Sequence, residues 1–342
     1  MKKNTIYVLC PLGIKTGGPE LLHQLVYQIN KETKEYHAVI AYNFVGKQKR
    51  VKEFEKYIGN NWINVNEIED TKDNILIIPE TSISFFDKYK NLKKYIWWLS
   101  VDNYLLGSSF KYRLENIGLL NAIYAKFKGY IKDYSSQIKQ ADLNLCQSFY
   151  AVDFVKNMGI PKKKIAYLSD YINDLYIKDI KKNNKSHRSN IVLYNPKKGY
   201  TFTKKLIKYC QDRKCNWKWV PLINMTNAEV KSYLENCKVY IDFGNHPGKD
   251  RFPREAAISG CCIITGKKGA AAYYEDVPIP DQYKFQDIKD NFDSIYKKIN
   301  ECVNNYTTNI EDFSKYRNFI LSEKSEFIND CKFIFGKKVN DK

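Results

Sequence analysis

Short apolar runs alternate with segments of helical spacing along most of the chain. In the first half, strand-like runs are predicted at residues 5–10, 37–42, 74–78, 94–99, 143–146 and 164–172. A glycine-rich turn follows the first run, and residues 20–30 then carry leucine, valine and isoleucine at helical spacing. Strands that alternate with helices predict a mostly parallel, doubly wound α/β sheet.

The second half restarts this alternation after a polar stretch at residues 178–190. Strand-like runs are predicted at residues 191–194, 217–220, 239–243 and 261–265, and two long helical patterns follow at 288–303 and 311–335. We therefore expect two Rossmann-like domains with a linker between them. The predicted boundaries are an N-terminal domain over 1–177, a linker over 178–190, a second domain over 191–310, and a C-terminal helical segment over 311–342 that can pack back on the first domain.

The most informative stretch covers residues 239–266, which read as a strand, a loop, a short helix and a second strand. Such a unit almost always forms a right-handed parallel crossover, so its loop lies at the carboxyl edge of the sheet, where ligands bind. Three cations lie at the start of the predicted helix: Lys249, Arg251 and Arg254. The free N–H groups of this helix end also favour an anion. This predicts a site for a phosphate-bearing ligand. His246 is either an ordinary loop histidine or a contact to that ligand.

Residues 104–136 depart from the alternation, because apolar and aromatic residues interleave there with cations. The cations are Lys111, Arg113, Lys126, Lys128 and Lys132. One interpretation is an ordinary amphipathic helix packed on the sheet. The other is a basic, aromatic face that rests on an anionic membrane surface.

Charge narrows the choice of partners. The chain of 342 residues has 56 Lys and Arg against 38 Asp and Glu, a formal net charge of +18. Such an excess points to nucleic acid, an anionic membrane or a phosphorylated substrate. No zinc-finger spacing or RNA-binding aromatic motif accompanies the charge, so nucleic acid ranks last of the three.

Cysteine usage and hydropathy indicate a compartment. The nine cysteines form no CxxC pair, which favours buried thiols in a reducing cytosol over a disulfide framework. The chain shows no signal-peptide pattern and no apolar run of the ~20 residues that a membrane span needs. We expect a cytoplasmic protein that contacts the inner face of the cell membrane only peripherally.

Three motifs together carry a family resemblance: the GGPE turn at 17–20, residues 147–170, and residues 240–264. They resemble, in that order, the GG-x-E turn, the segment that ends in K-I-x-V-I-P-N and the donor-binding stretch of the large retaining family of nucleotide-sugar glycosyltransferases, family 4 or group 1 type. The resemblance implies a GT-B fold in which the first domain binds the acceptor and the second the donor. It further implies sugar transfer to a glycan or lipid-linked glycan of polysaccharide, lipopolysaccharide or capsule type.

The resemblance also assigns roles to residues. Glu255 matches the glutamate that contacts the donor ribose. Lys198, with Lys197 beside it, matches one cation of the pair that clamps the diphosphate, and Arg251 or Lys249 would supply the other. We expect Arg254 to contribute to the same donor site.

Other matches concern the first domain and the sugar. Asp102 matches a position that faces the acceptor, while Gly17 and Gly18 either contact the donor or only allow a tight turn. The first glutamate of the family's E-x7-E motif has no counterpart, because Pro247 stands there and Asp250 is the nearest carboxylate. Hexosyl transfer with retention is implied, but the sugar-binding carboxylate, and with it retention or inversion, stays open.

No D-x-D triplet occurs, so the sequence predicts neither a metal nor another cofactor. Lysine, arginine and helix N-termini would then offset the charge on the leaving diphosphate. Two alternatives remain. One is another nucleotide-sugar reaction on the same fold, such as epimerisation. The other is a non-catalytic basic protein that binds a membrane or nucleic acid.

Overall fold

The structure, a computed structural model, describes residues 4–43, 48–177 and 188–336. It divides into two compact units, one of Met1–Asp170 with Ser325–Lys342 and one of Tyr171–Lys324. Each unit has its own hydrophobic core. Residues 178–187 of the predicted linker and residues 337–342 of the predicted C-terminal segment lie outside the described ranges.

The first unit is built on a sheet of seven parallel strands. They are β1 (Asn4–Pro11), β2 (Tyr36–Asn43), β3 (Trp62–Asn64), β4 (Ile75–Pro79), β5 (Lys93–Trp98), β6 (Leu143–Cys146) and β7 (Ile165–Tyr167). Their order is β3-β2-β1-β4-β5-β6-β7, so the order reverses between β1 and β4. All five residues of β4 are buried, as expected for a parallel strand covered on both faces.

Seven helices of the first unit connect these strands. They are α1 (Gly17–Glu32), α2 (Glu55–Ile58), α3 (Val101–Ser108), α4 (Phe110–Ile117), α5 (Leu119–Phe127), α6 (Ser135–Gln140) and α7 (Phe149–Asn157). The segment 104–136 is thus largely helical, as predicted, but it is broken. Ser109 caps α4, and Gly118, with φ +100°, separates α4 from α5. Among the described residues, no helix is both long and apolar enough to cross a membrane.

The second unit is built on four parallel strands. They are β8 (Ser189–Tyr194), β9 (Lys218–Pro221), β10 (Cys237–Asp242) and β11 (Cys262–Thr265). Their order is β11-β10-β8-β9, which reverses between β8 and β10. The helices are α8 (Asp174–Ile177), α9 (Tyr200–Asp212), α10 (Asn227–Asn236), α11 (Arg251–Ile258), α12 (Phe292–Asn304), α13 (Tyr306–Asn309) and α14 (Ser314–Phe335), of which residues 325–335 belong to the first unit.

One buried arginine fixes the elements around the stretch singled out in the sequence. The guanidinium of Arg188 donates to the carbonyls of Leu234 and Cys237, at 3.0 and 2.7 Å, and to that of Ser259. These carbonyls belong to the end of α10, the start of β10 and the residue that follows α11. Because one rigid fork joins all three, β10 and α11 hold a fixed position relative to each other.

The doubly wound α/β class predicted from the sequence is therefore confirmed. The order reversal between β8 and β10 defines a switch point, and sheets of this kind bind ligands outside the carboxyl ends of the strands at such a point.

Candidate functional site

The loops that follow β8 and β10 touch through two glycines. Gly199 has φ +54°, and a Cβ built on it would lie 2.0 Å from the carbonyl oxygen of Phe243. Gly244 has φ +115°, and a Cβ there would lie 2.7 Å from the nitrogen of Gly199. Two backbones this close leave no space for a side chain, so glycine is required at both positions. The contact lies at the switch point of the second sheet.

This contact brings Lys198 to the loop after β10. The ammonium of Lys198 forms an ion pair with Asp250, and the same carboxylate oxygen lies 3.0 Å from Nδ1 of His246. On the other side of the ring, Nε2 lies 3.3 Å from the backbone carbonyl of Asp242. We call Lys198, Asp242, His246 and Asp250 the edge cluster. Asp250 stands at the N-cap position of α11, but its side chain serves this cluster and does not cap the helix.

The protonation of the edge cluster follows from its contacts. Both ring nitrogens of the buried His246 face acceptors, an arrangement that suits the doubly protonated ring. Burial lowers the pKa of His246, but Asp242 and Asp250 raise it by more, so the pKa is raised from 6.5. Burial raises the pKa of Asp250, yet Lys198 and His246 outweigh this and lower it to about 2. Asp242 has a raised pKa because it is buried.

Two other predicted cations have a different partner. Nζ of Lys249 and Nη1 of Arg254 each lie 2.9 Å from the carboxylate of Glu323 in α14, and all three side chains are buried. Arg254 also donates to the backbone carbonyls of Lys249 and Asp250, at 2.7 and 3.1 Å. This buried triad, Lys249, Arg254 and Glu323, ties the loop before α11 to the C-terminal helix. The predicted ligand role of Lys249 and Arg254 stays a prediction.

Glu255 and Arg251 lie on α11 itself. Glu255 is buried, and the hydroxyl of Tyr176 from α8 donates to its carboxylate. Burial and this carboxylate raise the pKa of Tyr176, while Arg251 lowers it, so the three side chains lie near one another. Arg251, at the first position of α11, is half-buried, and Lys197 is exposed in the turn after β8.

The remaining predicted residues belong to the first unit: Gly17, Gly18 and Asp102. Gly17 and Gly18 begin α1, and a Cβ on Gly18 would only touch Leu99, at 3.7 Å. Asp102 is buried in the first turn of α3 and accepts a hydrogen bond of 3.0 Å from Tyr150. Glu80, which follows β4, accepts from the backbone N–H of Leu99 at 3.0 Å, and burial raises its pKa to about 7.

Sequence reasoning missed several of these side chains. Tyr176, Asp242 and Glu323 contact predicted residues, yet none of them carries a motif of its own. Asp242 could have been found as the last residue of the strand before the predicted loop, since polar side chains at the carboxyl ends of parallel strands face the ligand edge. Within the described ranges, no group of three or more His, Cys, Asp or Glu side chains is arranged to hold a metal ion.

Comparison with known proteins identifies the fold. The chain matches no protein-family model and no curated protein. Among solved structures, it is similar to sucrose-phosphate synthase from Thermosynechococcus elongatus, with 10% identity, a TM-score of 0.63, and coverage of 97% of this chain and 98% of that one. It is likewise similar to HepE of Anabaena, solved with UDP-glucose, with 11% identity, a TM-score of 0.60, and coverage of 96% and 99%.

A third similar structure is TarM of S. aureus, solved with fondaparinux, α-GlcNAc-glycerol and UDP. It shares 17% identity and a TM-score of 0.54 over 80% of this chain, which spans only 57% of TarM. At these identities the similarity shows the fold alone. The fold is GT-B, as the sequence predicts.

The glycine contact gives the first prediction. Gly199→Ala should destabilise the protein by clearly more than Gly159→Ala. A positive φ costs a non-glycine residue about 1–2 kcal/mol, and this strain applies at both positions, since Gly159 has φ +81° in the turn that ends α7. A Cβ at Gly159 would meet no described atom within 4 Å, whereas at Gly199 it would collide with backbone. Denaturant unfolding of both variants measures the difference, and equal losses would show that the two loops do not depend on this contact.

The edge cluster gives the second prediction. Because its pKa is raised, His246 contributes stability that is fully present below its unfolded value of 6.5 and is lost as pH rises through the folded value. Asp250→Asn removes one of the two carboxylates that raise it, so the pKa of His246 should fall and this loss of stability with rising pH should shrink. NMR titration of the ring tests the shift. His23, whose pKa burial lowers, is the internal control. An unchanged titration of His246 would contradict the assigned contact.

Proposed function

We propose that this protein is a glycosyltransferase of the family 4 type that moves a sugar from a UDP-sugar to a hydroxyl of a glycan or lipid-linked glycan. The observation that supports it best is the edge cluster at the switch point of the second sheet, where a lysine and the start of α11 meet. The UDP bound to TarM and the UDP-glucose bound to HepE support a uridine donor. The acceptor class, a surface polysaccharide, lipopolysaccharide or capsule glycan, follows from the resemblance to the family.

In this proposal Lys198 and Arg251 neutralise the diphosphate of the donor. Lys198 is ion-paired to Asp250 and only partly buried, so its ammonium can exchange that carboxylate for a phosphate oxygen. Arg251 adds a guanidinium at the first position of α11, where the free N–H groups also favour an anion. Lys197, exposed beside Lys198, adds positive potential at the entrance.

Glu255 would accept hydrogen bonds from the ribose hydroxyls. The hydroxyl of Tyr176 donates to its carboxylate and holds it in place. A carboxylate has two oxygens with about four lone-pair sites, so it can accept from a ligand as well as from protein donors. Nucleoside binding and charge neutralisation are thus assigned to different residues. Glu255 binds the nucleoside in every state of the reaction, whereas Lys198 and Arg251 act most strongly when charge grows on the departing diphosphate.

The reaction would be metal-independent and would release UDP by cleavage of the bond between the sugar and the β-phosphate. Preorganised cations stabilise such a developing charge better than water does, because they need no reorganisation. Asp242 and Asp250 raise the pKa of His246 and so favour its protonated, positively charged form at the same edge. Transfer with retention of configuration follows the family. Asp250 is the carboxylate nearest to the missing first glutamate in sequence, and its ion pairs with Lys198 and His246 suit a positioning role.

The donor site is tested by three substitutions. Arg251→Ala and Lys198→Ala should each cut turnover by roughly 10²–10³, by analogy with removal of one oxyanion-hole donor. Glu255→Gln should weaken UDP binding with turnover at saturation less affected, because ribose contacts exist before and during reaction. Calorimetry with UDP and release of UDP from UDP-sugars are the measurements.

Lys204→Ala is the matched control, since it removes an exposed lysine from the neighbouring α9. A screen of UDP-sugars by thermal shift selects the donor, because a ligand at 100 times its dissociation constant adds about 2.7 kcal/mol. Intact UDP affinity and turnover in both Arg251→Ala and Lys198→Ala would overturn the donor site and the family assignment with it.

Asp102 is assigned to the acceptor, either as the base that takes the proton from the incoming hydroxyl or as the group that orients it. A general base contributes about 10²–10⁴-fold, so Asp102→Asn should lower turnover at least 10²-fold and leave UDP affinity unchanged. Tyr150→Phe removes the hydrogen bond to Asp102 but leaves the carboxylate in place, so it should cost less. Asp153→Asn is the control, since it alters an aspartate of α7 whose side chain is 47% exposed. Normal turnover of Asp102→Asn would make Asp102 a structural residue.

A further inference from the structure

Helix α5 presents large apolar side chains to solvent and small ones to the protein. Its buried residues are Ala122 and Ala125. The opposite side carries Leu120, Ile123, Tyr124 and Phe127, at the i, i+3, i+4, i+7 spacing of one helical face. Of these, Leu120 is 86% exposed and Phe127 is 88% exposed. We call these four residues the outward face of α5. An exposed apolar face of this kind is typical of a surface that binds a partner.

Helix α4 extends the exposed apolar surface. Every residue of α4 is at least partly exposed, and its last turn adds exposed Leu114 and Ile117. The bend at Gly118 joins it to α5, where Leu119 is exposed as well. Arg113 reaches across the bend and donates to the side chain of Asn121 at 2.8 Å. The two helices thus form a hairpin with apolar residues at its turn.

Cations adjoin this surface. Nζ of Lys128 lies 6.0 Å from the ring centroid of Tyr124, and Nζ of Lys126 lies 5.6 Å from that of Phe110. Lys111, Arg113 and Lys132 belong to the same segment, which has only Glu115 and Asp133 as acidic residues. The exposed Tyr124 and Tyr130 pack edge to face, and tyrosine is typical of the boundary between apolar and aqueous phases.

We propose that the α4–α5 hairpin docks on an anionic lipid bilayer, with Leu120 and Phe127 inserted below the headgroups and Lys126 and Lys128 against the lipid phosphates. A second copy of the chain fits this surface poorly, since a symmetric contact would set the same lysines against each other. An anionic bilayer supplies both an apolar interior and the opposite charge. This inference does not depend on the proposed reaction, although a lipid-linked acceptor would be reached from such a position.

Flotation of the full chain with vesicles tests the proposal. The protein should bind mixed phosphatidylcholine and phosphatidylglycerol vesicles and leave them as salt rises, because screening shortens the Debye length to about 10 Å at 0.1 M. Lys126→Ser and Lys128→Ser should each weaken binding about fivefold. Leu120→Ser and Phe127→Ser should each weaken vesicle binding about tenfold or more, because serine does not gain the free energy that a large apolar side chain gains on burial in the bilayer.

Matched controls lie elsewhere on the first unit. Phe333→Ser removes an exposed aromatic side chain of α14, and Lys162→Ser removes an exposed lysine, so neither should change vesicle binding. Circular dichroism confirms that each variant is folded. Three results would overturn the proposal: absence of binding to the mixed vesicles, equal binding to pure phosphatidylcholine, or a dimer in sedimentation velocity that Phe127→Ser dissociates. None of these readouts involves UDP or sugar transfer, so they leave the proposed reaction untouched.

Discussion

The backbone contact between Gly199 and Gly244 sets the geometry of the second unit's carboxyl edge. Two loops that belong to different strands meet there with no side chain between them. Because the two loops lie this close, the side chain of Lys198, which precedes Gly199, reaches the carboxylate of Asp250 at the start of α11. A larger residue at either glycine would separate the loops and the charges that they hold. The electrostatics of the site therefore depend on a steric constraint.

Within the edge cluster, each charged side chain affects the protonation of its neighbours. Asp250 stays ionised because two cations lie beside it, and His246 stays protonated at higher pH because two carboxylates lie beside it. Buried ions are costly unless paired, so removal of one partner leaves the others uncompensated. The arrangement is thus cooperative, and a phosphate that takes Lys198 from Asp250 would also alter the field at His246. If the proposed donor binds here, its binding and the protonation of this histidine would be coupled through the carboxylate of Asp250.

The parallel strands and most helices could be predicted from the sequence, because apolar periodicity reports local burial. The three-residue β3 escaped prediction, since a run so short leaves no periodic signal. The proposed site positions Lys198 and Glu255 are named from the resemblance, and their roles stay predictions. The side chains that contact the predicted residues could not be named from the sequence. Tyr176 and Glu323 stand many residues away from the groups they bond, and only the packed chain brings them together.

The partners change how the cations around the start of α11 are understood. In the sequence Lys249, Arg251 and Arg254 look equivalent, as one basic cluster that awaits an anion. In the structure, Glu323 holds Lys249 and Arg254 in a buried triad, and breaking such a group by removal of one member costs about 3–5 kcal/mol. A diphosphate would have to replace a carboxylate in a dry interior to recruit either cation. Lys198, whose side chain is 25% exposed, and Arg251, which is half-buried, lie nearer the surface, where exchange of one anionic partner for another costs less. The triad thus fixes the start of α11, and with it the positions of Arg251 and Glu255 in the proposed donor site.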